Sequence, residues 1–315
     1  MEEFDFNKPF VLYRLPGEVE INLRTNVTLN NSSLQAGDVS ICSWLNQPIC
    51  AMSVEIDSTD FATYSGMVTE AASRSLRRSG KTVIVREICG EFKCPSPIAM
   101  ADEYFAKFPD MFCFLFYHPS TGYWMGASPE LLVTFDGSEG STRALAGTRR
   151  LSSHEAWSEK NIDEHNMVVE DIKNNISQLG TDWESHSAPT GTLQYGDIEH
   201  LCTAISVKYN GSDKPCISTL VSALHPTAAI GGFPRKEALE DIAELETRPR
   251  KFYAGVICTA TTAYVILRCV HFDHNRWCVY TGSGITGLSE PEDEWLETQA
   301  KATPLTSLLT KYQLS

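Results

Sequence analysis

The chain has 315 residues, 42% of them hydrophobic and 21% charged, which is ordinary for a soluble globular protein and ample for a sizeable core. Its net charge of −14 provides no basic field to neutralise nucleic-acid phosphates, so a general nucleic-acid partner is excluded. No run approaches the roughly 18 apolar residues of a membrane span, and MEEFDFNKPF at the start lacks a signal peptide's basic and apolar regions, so a cytoplasmic protein without a membrane partner is expected.

Residues 1–58 are irregular, with polar runs such as NVTLNNSSLQAGD between short apolar pieces. Alternation in Val39–Trp44 and Ala51–Ile56 predicts two strands there. Phe61, Tyr64, Val68, Ala72 and Leu76 share one helical face and predict a helix over 61–78, broken at Ser79-Gly80 before the strand KTVIVREI. MFCFLFYHP and GYWMGASPELLVTFDG read as two strands around a Pro-Ser-Thr-Gly turn. The strongest helix runs from about Ser158 to Leu179, with Ile162, Val169, Ile172, Ile176 and Leu179 in period and Gly180 after its end.

TLQYGDIEHLCTAISVKY, FYAGVICTATT, AYVILRCVHFD and RWCVYTGSGI read as later strands, with a helix at Lys236–Leu245. The strands come in consecutive pairs instead of alternating with helices, which predicts antiparallel sheets in a layered α+β fold. With no repeat, low-complexity tract or linker, one domain over 1–315 is expected. The ten cysteines are scattered, several within apolar runs (Cys113, Cys258, Cys269, Cys278), and form no C-x-x-C. They read as reduced thiols and not as zinc ligands or a disulfide framework.

Residues 282–287, GSGITG, spell the G-x-G-x-x-G of dinucleotide sites. The next helix does not begin at the third glycine. Ser289 and Glu292 read as a capping box and Pro291 suits a first turn, so the helix begins near Glu290. Its first turns carry Glu290, Glu292, Asp293, Glu294 and Glu297, which would repel a pyrophosphate. Glu294, Glu297 and Lys301 fall along one helical face, either as a solvated charge run or as part of a hard-cation site. Spacing alone leaves both open.

A collinear set of motifs carries more weight: GKTVIVRE (80–87), GASPELLV (126–133), LAGTRR (145–150), EKNIDEHNMVVEDI (159–172), LHPTAAIGGFPR (224–235), FYAGV (252–256) and GSGITGLSEPEDEWLETQAK (282–301). The series, over residues 61–301, resembles the chorismate-utilising enzymes, and most closely the isochorismate synthases of menaquinone and siderophore pathways. The resemblance implies a fold of large antiparallel sheets packed together with helices outside.

It also implies roles for particular residues. Lys81 matches the family's general base towards water, and Glu130 its general acid. Glu164 and Glu297 match direct Mg²⁺ ligands, with Glu294 holding metal-bound water. Tyr253, Arg268 and the backbone of Gly282 and Gly284 match the grip on a substrate carboxylate. Gly147, Thr148 and Lys301 match positions around the site, and His200 one that faces the reacting ring. The ordinary reading of most of these is an exposed or satisfied polar residue. Arg268 differs, because a charge inside the apolar run YVILRCV asks for an anionic partner even without the family. His225 before Pro226 reads as structural.

The branch follows from departures. Ala146 stands where aminodeoxychorismate synthases carry the nucleophilic lysine of PIKGT. MVVEDIKNNIS replaces the LVDLARNDL of anthranilate synthases, and no glutaminase-like segment is present. Ala229 stands where salicylate synthases tend to have Thr. The implied activity is Mg²⁺-dependent reversible isomerisation of chorismate to isochorismate by a monomer or weak dimer. Alternatives are a salicylate synthase, which also eliminates pyruvate, and a chorismate-binding relative without turnover. The N-terminal region is shorter than is usual in the family.

Overall fold

The computed structural model describes residues 7–30, 37–49, 51–151, 156–195 and 198–313, so part of the N-terminal polar run and the Gly196-Asp197 step lie outside it. Strands β1 (Phe10–Arg14), β2 (Asn22–Arg24), β3 (Val27–Leu29) and β4 (Val39–Cys42) precede helix α1 (Phe61–Arg78). Then come β5 (Lys81–Glu91), α2 (Pro97–Ala106), β6 (Phe112–His118), β7 (Gly122–Ser128), β8 (Leu131–Phe135), β9 (Glu139–Arg150) and α3 (Glu159–Ser177). β10 (Trp183–Ser187), β11 (Gly191–Tyr195), β12 (Ile198–Tyr209), α4 (Ile217–Leu224), β13 (Gly232–Phe233) and α5 (Arg235–Leu245) follow. β14 (Val256–Cys258), β15 (Thr262–Val265), β16 (Cys269–Phe272), β17 (Arg276–Thr286) and α6 (Pro291–Leu309) complete the order.

Among the described residues the strands form two sheets. One runs β13-β5-β17-β16-β7-β6-β1-β2, the other β10-β12-β9-β8-β15-β14-β4-β3 with β11 also on β12. Every pairing is antiparallel except β3 with β4, as the α+β expectation required. Period-two alternation sorts the side chains. On β6, Phe112, Phe114 and Phe116 enter an apolar cluster shared with the second sheet, while Cys113 and Leu115 face α2 and α6. No helix among the described residues is long and apolar enough to cross a membrane, and the described cysteines are free thiols.

Several strands differ from their expected extents. Ala51–Ile56 is not a strand, and Val39–Trp44 stops at Cys42 because Trp44–Asn46 turns into a 3-10 helix with Leu45 and Asn46 at positive φ. Within the run 192–209 there are two strands, β11 pairing antiparallel with β12. On α1 and α3 the buried faces are slightly rotated: Met67 and Ala71, and Val168, replace the exposed Phe61, Leu76 and Ile162. α6 begins as expected at Pro291, but Ser289 is no cap. It precedes the N-cap residue Glu290, and its Oγ accepts from the Thr286 N–H instead.

Two corrections matter for the site. GYWMGASPELLVTF and AYVILRCVHF each break in the middle, and each half joins a different sheet. The chain leaves the first sheet after β7 at Pro129-Glu130 and returns to it between β15 and β16 at Ile266–Arg268. These crossings lie side by side: Val265 N–H donates to Glu130 O at 3.1 Å, and Ala127 N–H to Arg268 O at 3.4 Å. Pro129 has no N–H for a ladder, and Arg268 takes a left-handed φ of 45°, so both strands end locally.

Candidate active site

The pocket forms where the core between the sheets runs out of side chains. On β17 the even positions Cys278 and Tyr280 belong to the shared core, and the next two on that face are Gly282 and Gly284. Opposite them β5 places Lys81 against Thr286 in register. A Cβ at Gly284 would fall 2.3 Å from Glu164 Oε1 and 3.0 Å from Lys81 Nζ, and one at Gly282 would lie 3.1 Å from the Tyr253 hydroxyl. The glycines are therefore needed for close approach of side chains to the strand, not for a phosphate.

Three lysine–glutamate pairs lie around this space, two of them with one member in its lining. Lys81, fully buried, donates from Nζ to Glu164 Oε1 at 2.8 Å. Lys301 donates to Glu297 Oε1 at 2.7 Å and to the Gly282 carbonyl at 3.1 Å. Lys160 donates to Glu294 Oε1 at 2.6 Å. Burial alone would raise the Glu297 carboxyl, but Lys301 and Lys160 outweigh it and hold it at about 2. Glu294 goes the other way, raised by burial and then by Glu297.

Glu130 sits at the first crossing, 7% exposed, its Oε1 accepting from Thr227 Oγ1 at 3.4 Å. Burial pushes its carboxyl up to about 7, against the opposing pull of Lys81 and Thr227. Arg268 sits at the second crossing, and its Nη2 lies 3.3 Å from His200 Nε2. His200 Nδ1 in turn lies 3.0 Å from Thr148 Oγ1. The ladder between β9 and β12 skips Gly147, which has a φ of +74°, so this glycine is the extra residue of a bulge. Its missing side chain also admits α3, because a Cβ there would fall 2.9 Å from the Asn161 carbonyl.

The structure thus brings the expected residues together. Glu130, Glu164, His200, Tyr253, Arg268 and Lys301 line the pocket with Ala146, Gly147, Thr148, Gly282 and Gly284. Lys81 and Glu297 lie behind this lining, bonded to its members Glu164 and Lys301, whereas Glu294 and its partner Lys160 are both outside it. Arg268 is not inside a strand, so its apolar flanks mark a crossing and not a buried charge in a ladder. His225 donates instead to the Ala254 carbonyl at 2.7 Å. Sequence reasoning passed over Thr227 and Lys160, although both lie within quoted motifs. Lys160 stands four residues before Glu164 on α3, a spacing that puts both on one face.

A magnesium ion fits this donor set in kind. Glu164, Glu294 and Glu297 offer hard oxygens, and among the described residues the buried Glu294 Oε2 has no hydrogen-bond partner. Among the described residues no three His, Cys, Asp or Glu side chains converge as a group that could hold a metal, so any cation here would draw remaining ligands from water and substrate.

A family model described as chorismate binding enzyme matches residues 34–310. Isochorismate synthase EntC of Escherichia coli (strain K12) is 32% identical over 195 residues, 57% of this chain and 49% of that protein. Isochorismate synthase MenF of Bacillus subtilis (strain 168) is 28% identical over 287 residues, 84% of this chain and 58% of that protein. The structure of the menaquinone-specific isochorismate synthase MenF from Escherichia coli matches with a TM-score of 0.70 at 26% identity, over 83% of this chain and 64% of that one. The chain spans about half the length of the first two curated isochorismate synthases it matches in different species. With the family model covering most of its length, this chain belongs to the chorismate-binding enzyme family.

Proposed function

We propose that the chain is an isochorismate synthase, converting chorismate reversibly to isochorismate. The observation that carries this reading is Glu130. It is a buried carboxyl raised to about 7 in a pocket that is also lined by Glu164, the partner of the fully buried Lys81. An acid and a base fixed on rigid elements around one space suit a displacement in which one hydroxyl enters and another leaves. In its free-amine form Lys81 takes a proton from water as the water oxygen bonds to C2 of the ring, and afterwards the Lys81 ammonium loses a proton to solvent while Glu130 regains one. The ring double bonds shift, the C4–O bond breaks, and Glu130 gives its proton to the departing hydroxyl. Water is regenerated, so no redox partner is needed.

Arg268 and Tyr253, with the backbone N–H groups along 282–284, orient a substrate carboxylate, and the bidentate fork of arginine suits that task. Mg²⁺ held by Glu164 and Glu297, with Glu294 behind them, would screen the charge of the substrate's ring carboxylate. Ala146 provides no amine to compete with water, and Ala229 leaves room at the pocket wall. The chain acts in this reading as a cytoplasmic monomer or weak dimer that needs no glutaminase subunit. Menaquinone synthesis is its proposed pathway, on the likeness to the MenF proteins.

The test is chromatographic analysis of products after incubation with chorismate and Mg²⁺. Isochorismate alone supports the reading. Salicylate with pyruvate would establish a lyase instead, and unchanged chorismate a binding protein.

A further inference from the structure

Of the three lysines around the site, Lys81 serves the proposed reaction and Lys301 lines the pocket, whereas Lys160 does neither. Lys160 is fixed from both ends. Its backbone neighbour Asn161 seats against Gly147 and donates from Nδ2 to the Thr148 carbonyl at 3.5 Å. Its ammonium bonds Glu294, whose side chain is 1% exposed. The charges of Glu294, Glu297 and Glu164 all favour that ammonium, against the cost of burying it.

Each of the three carboxylates is within 2.8 Å of a different ammonium. With Lys81 in its resting ammonium form, before it serves as the base, three negative and three positive charges leave the cluster formally neutral. A neutral cluster exerts little net pull on a divalent cation in water, whereas the same cluster one charge more negative pulls strongly at short range. A divalent cation entering with a dianionic ligand, by contrast, leaves the total unchanged.

We propose that Lys160 is a fixed internal cation that positions Glu294 and restrains the carboxylate cluster from taking a divalent cation by itself, so that the cation is held firmly only together with the anionic substrate. The inference rests on the divalent-cation reading above and adds a positioning residue and an order of affinity to it. Linkage then requires that chorismate tighten cation binding by the same factor as the cation tightens chorismate binding.

The experiment is titration of the full chain with Mn²⁺, followed by electron paramagnetic resonance, with and without saturating chorismate. Wild type should bind Mn²⁺ at least about tenfold more tightly with chorismate present. Lys160→Gln should bind Mn²⁺ alone at least about tenfold more tightly than wild type and show a reduced chorismate effect. Lys160→Arg keeps the charge and should stay within about threefold of wild type in both conditions. A purely structural lysine gives the opposite sign, because freeing Glu294 weakens cation binding. Unchanged or weaker Mn²⁺ binding in folded Lys160→Gln overturns the proposal. So does tenfold tightening in Lys160→Arg or, whether or not the variants fold, wild-type binding that ignores chorismate. Wild type that binds no Mn²⁺ in either condition would instead overturn the cation reading itself.

Discussion

Arg268 donates from Nη2 to His200 Nε2 at 3.3 Å, and this contact sets the state of the histidine. A guanidinium only donates, so Nε2 accepts, the ring proton resides on Nδ1, and Nδ1 donates to Thr148 Oγ1 at 3.0 Å. Burial, then Arg268 and Lys301, push the imidazole down to about 3, so it is neutral across the physiological range. His200 therefore orients Arg268 instead of shuttling protons. We predict that kcat/KM for chorismate shows no limb near pH 6.5 that His200→Gln removes. The same variant should raise KM more than it lowers kcat, and the paired pH profiles check both statements.

Glu130 should supply the limb that does appear. An acid must be protonated to act, so activity falls as pH rises through about 7, and Glu130→Gln loses about 10²–10⁴ in kcat. Stability follows with a definite sign. The folded carboxyl keeps its proton up to about 7 while the unfolded one loses it near 4.5, so the folded state binds more protons between those values. Stability contributed by this group is full below 4.5 and falls as pH rises, by on the order of 3 kcal/mol at most. Glu130→Gln should remove that loss and be the more stable protein at pH 8, as measured by denaturant unfolding at pH 5 and pH 8.

Gly284 and Gly66 separate close approach from backbone freedom. A Cβ at 284 collides with Glu164 Oε1 at 2.3 Å, whereas nothing lies within 4 Å of one at 66 in α1. Gly284→Ala should break the Lys81–Glu164 pair and lower kcat at least about tenfold, since small misplacements of catalytic groups are costly. Gly66→Ala should stabilise by about 0.5–1 kcal/mol with unchanged kinetics. Thermal melting and steady-state assays on the two variants distinguish them.

Lys81→Met keeps volume and removes the base. Turnover should fall at least about a hundredfold. Stability should also drop, by about 3 kcal/mol, because Glu164, only 12% exposed, loses its partner. The double variant Lys81→Met, Glu164→Gln should recover most of that stability and none of the activity. Recovery is read from melting curves and activity from product formation.

Much of this arrangement was legible beforehand, and the missing parts share a physical cause. The helix at 159–177 shows its period and its Ser158 cap locally, and local signals suffice for such an element. The crossings at Pro129-Glu130 and Ile266–Arg268 do not, because the apolar pattern continues unbroken from one sheet into the next when both sides are buried. Glu130 and Arg268 were singled out by motif and by an odd charge, yet their setting as neighbouring corners depends on the bond between Val265 and Glu130, 135 residues apart in the chain. The same holds for Lys160 and Glu294, 134 residues apart. A contact of that range leaves no periodic trace in either segment. The capping box at Ser289 failed for a smaller reason: the serine hydroxyl was already accepting from Thr286.

The central claim is that this pocket interconverts chorismate and isochorismate, and it is tested most directly by approaching equilibrium from both sides. Separate incubations of purified protein with chorismate and with isochorismate, each with Mg²⁺, should converge on the same mixture, with no pyruvate released and with Glu130→Gln slowed about 10²–10⁴-fold in both directions. Failure of either substrate to convert, or steady release of pyruvate from isochorismate, would contradict the account.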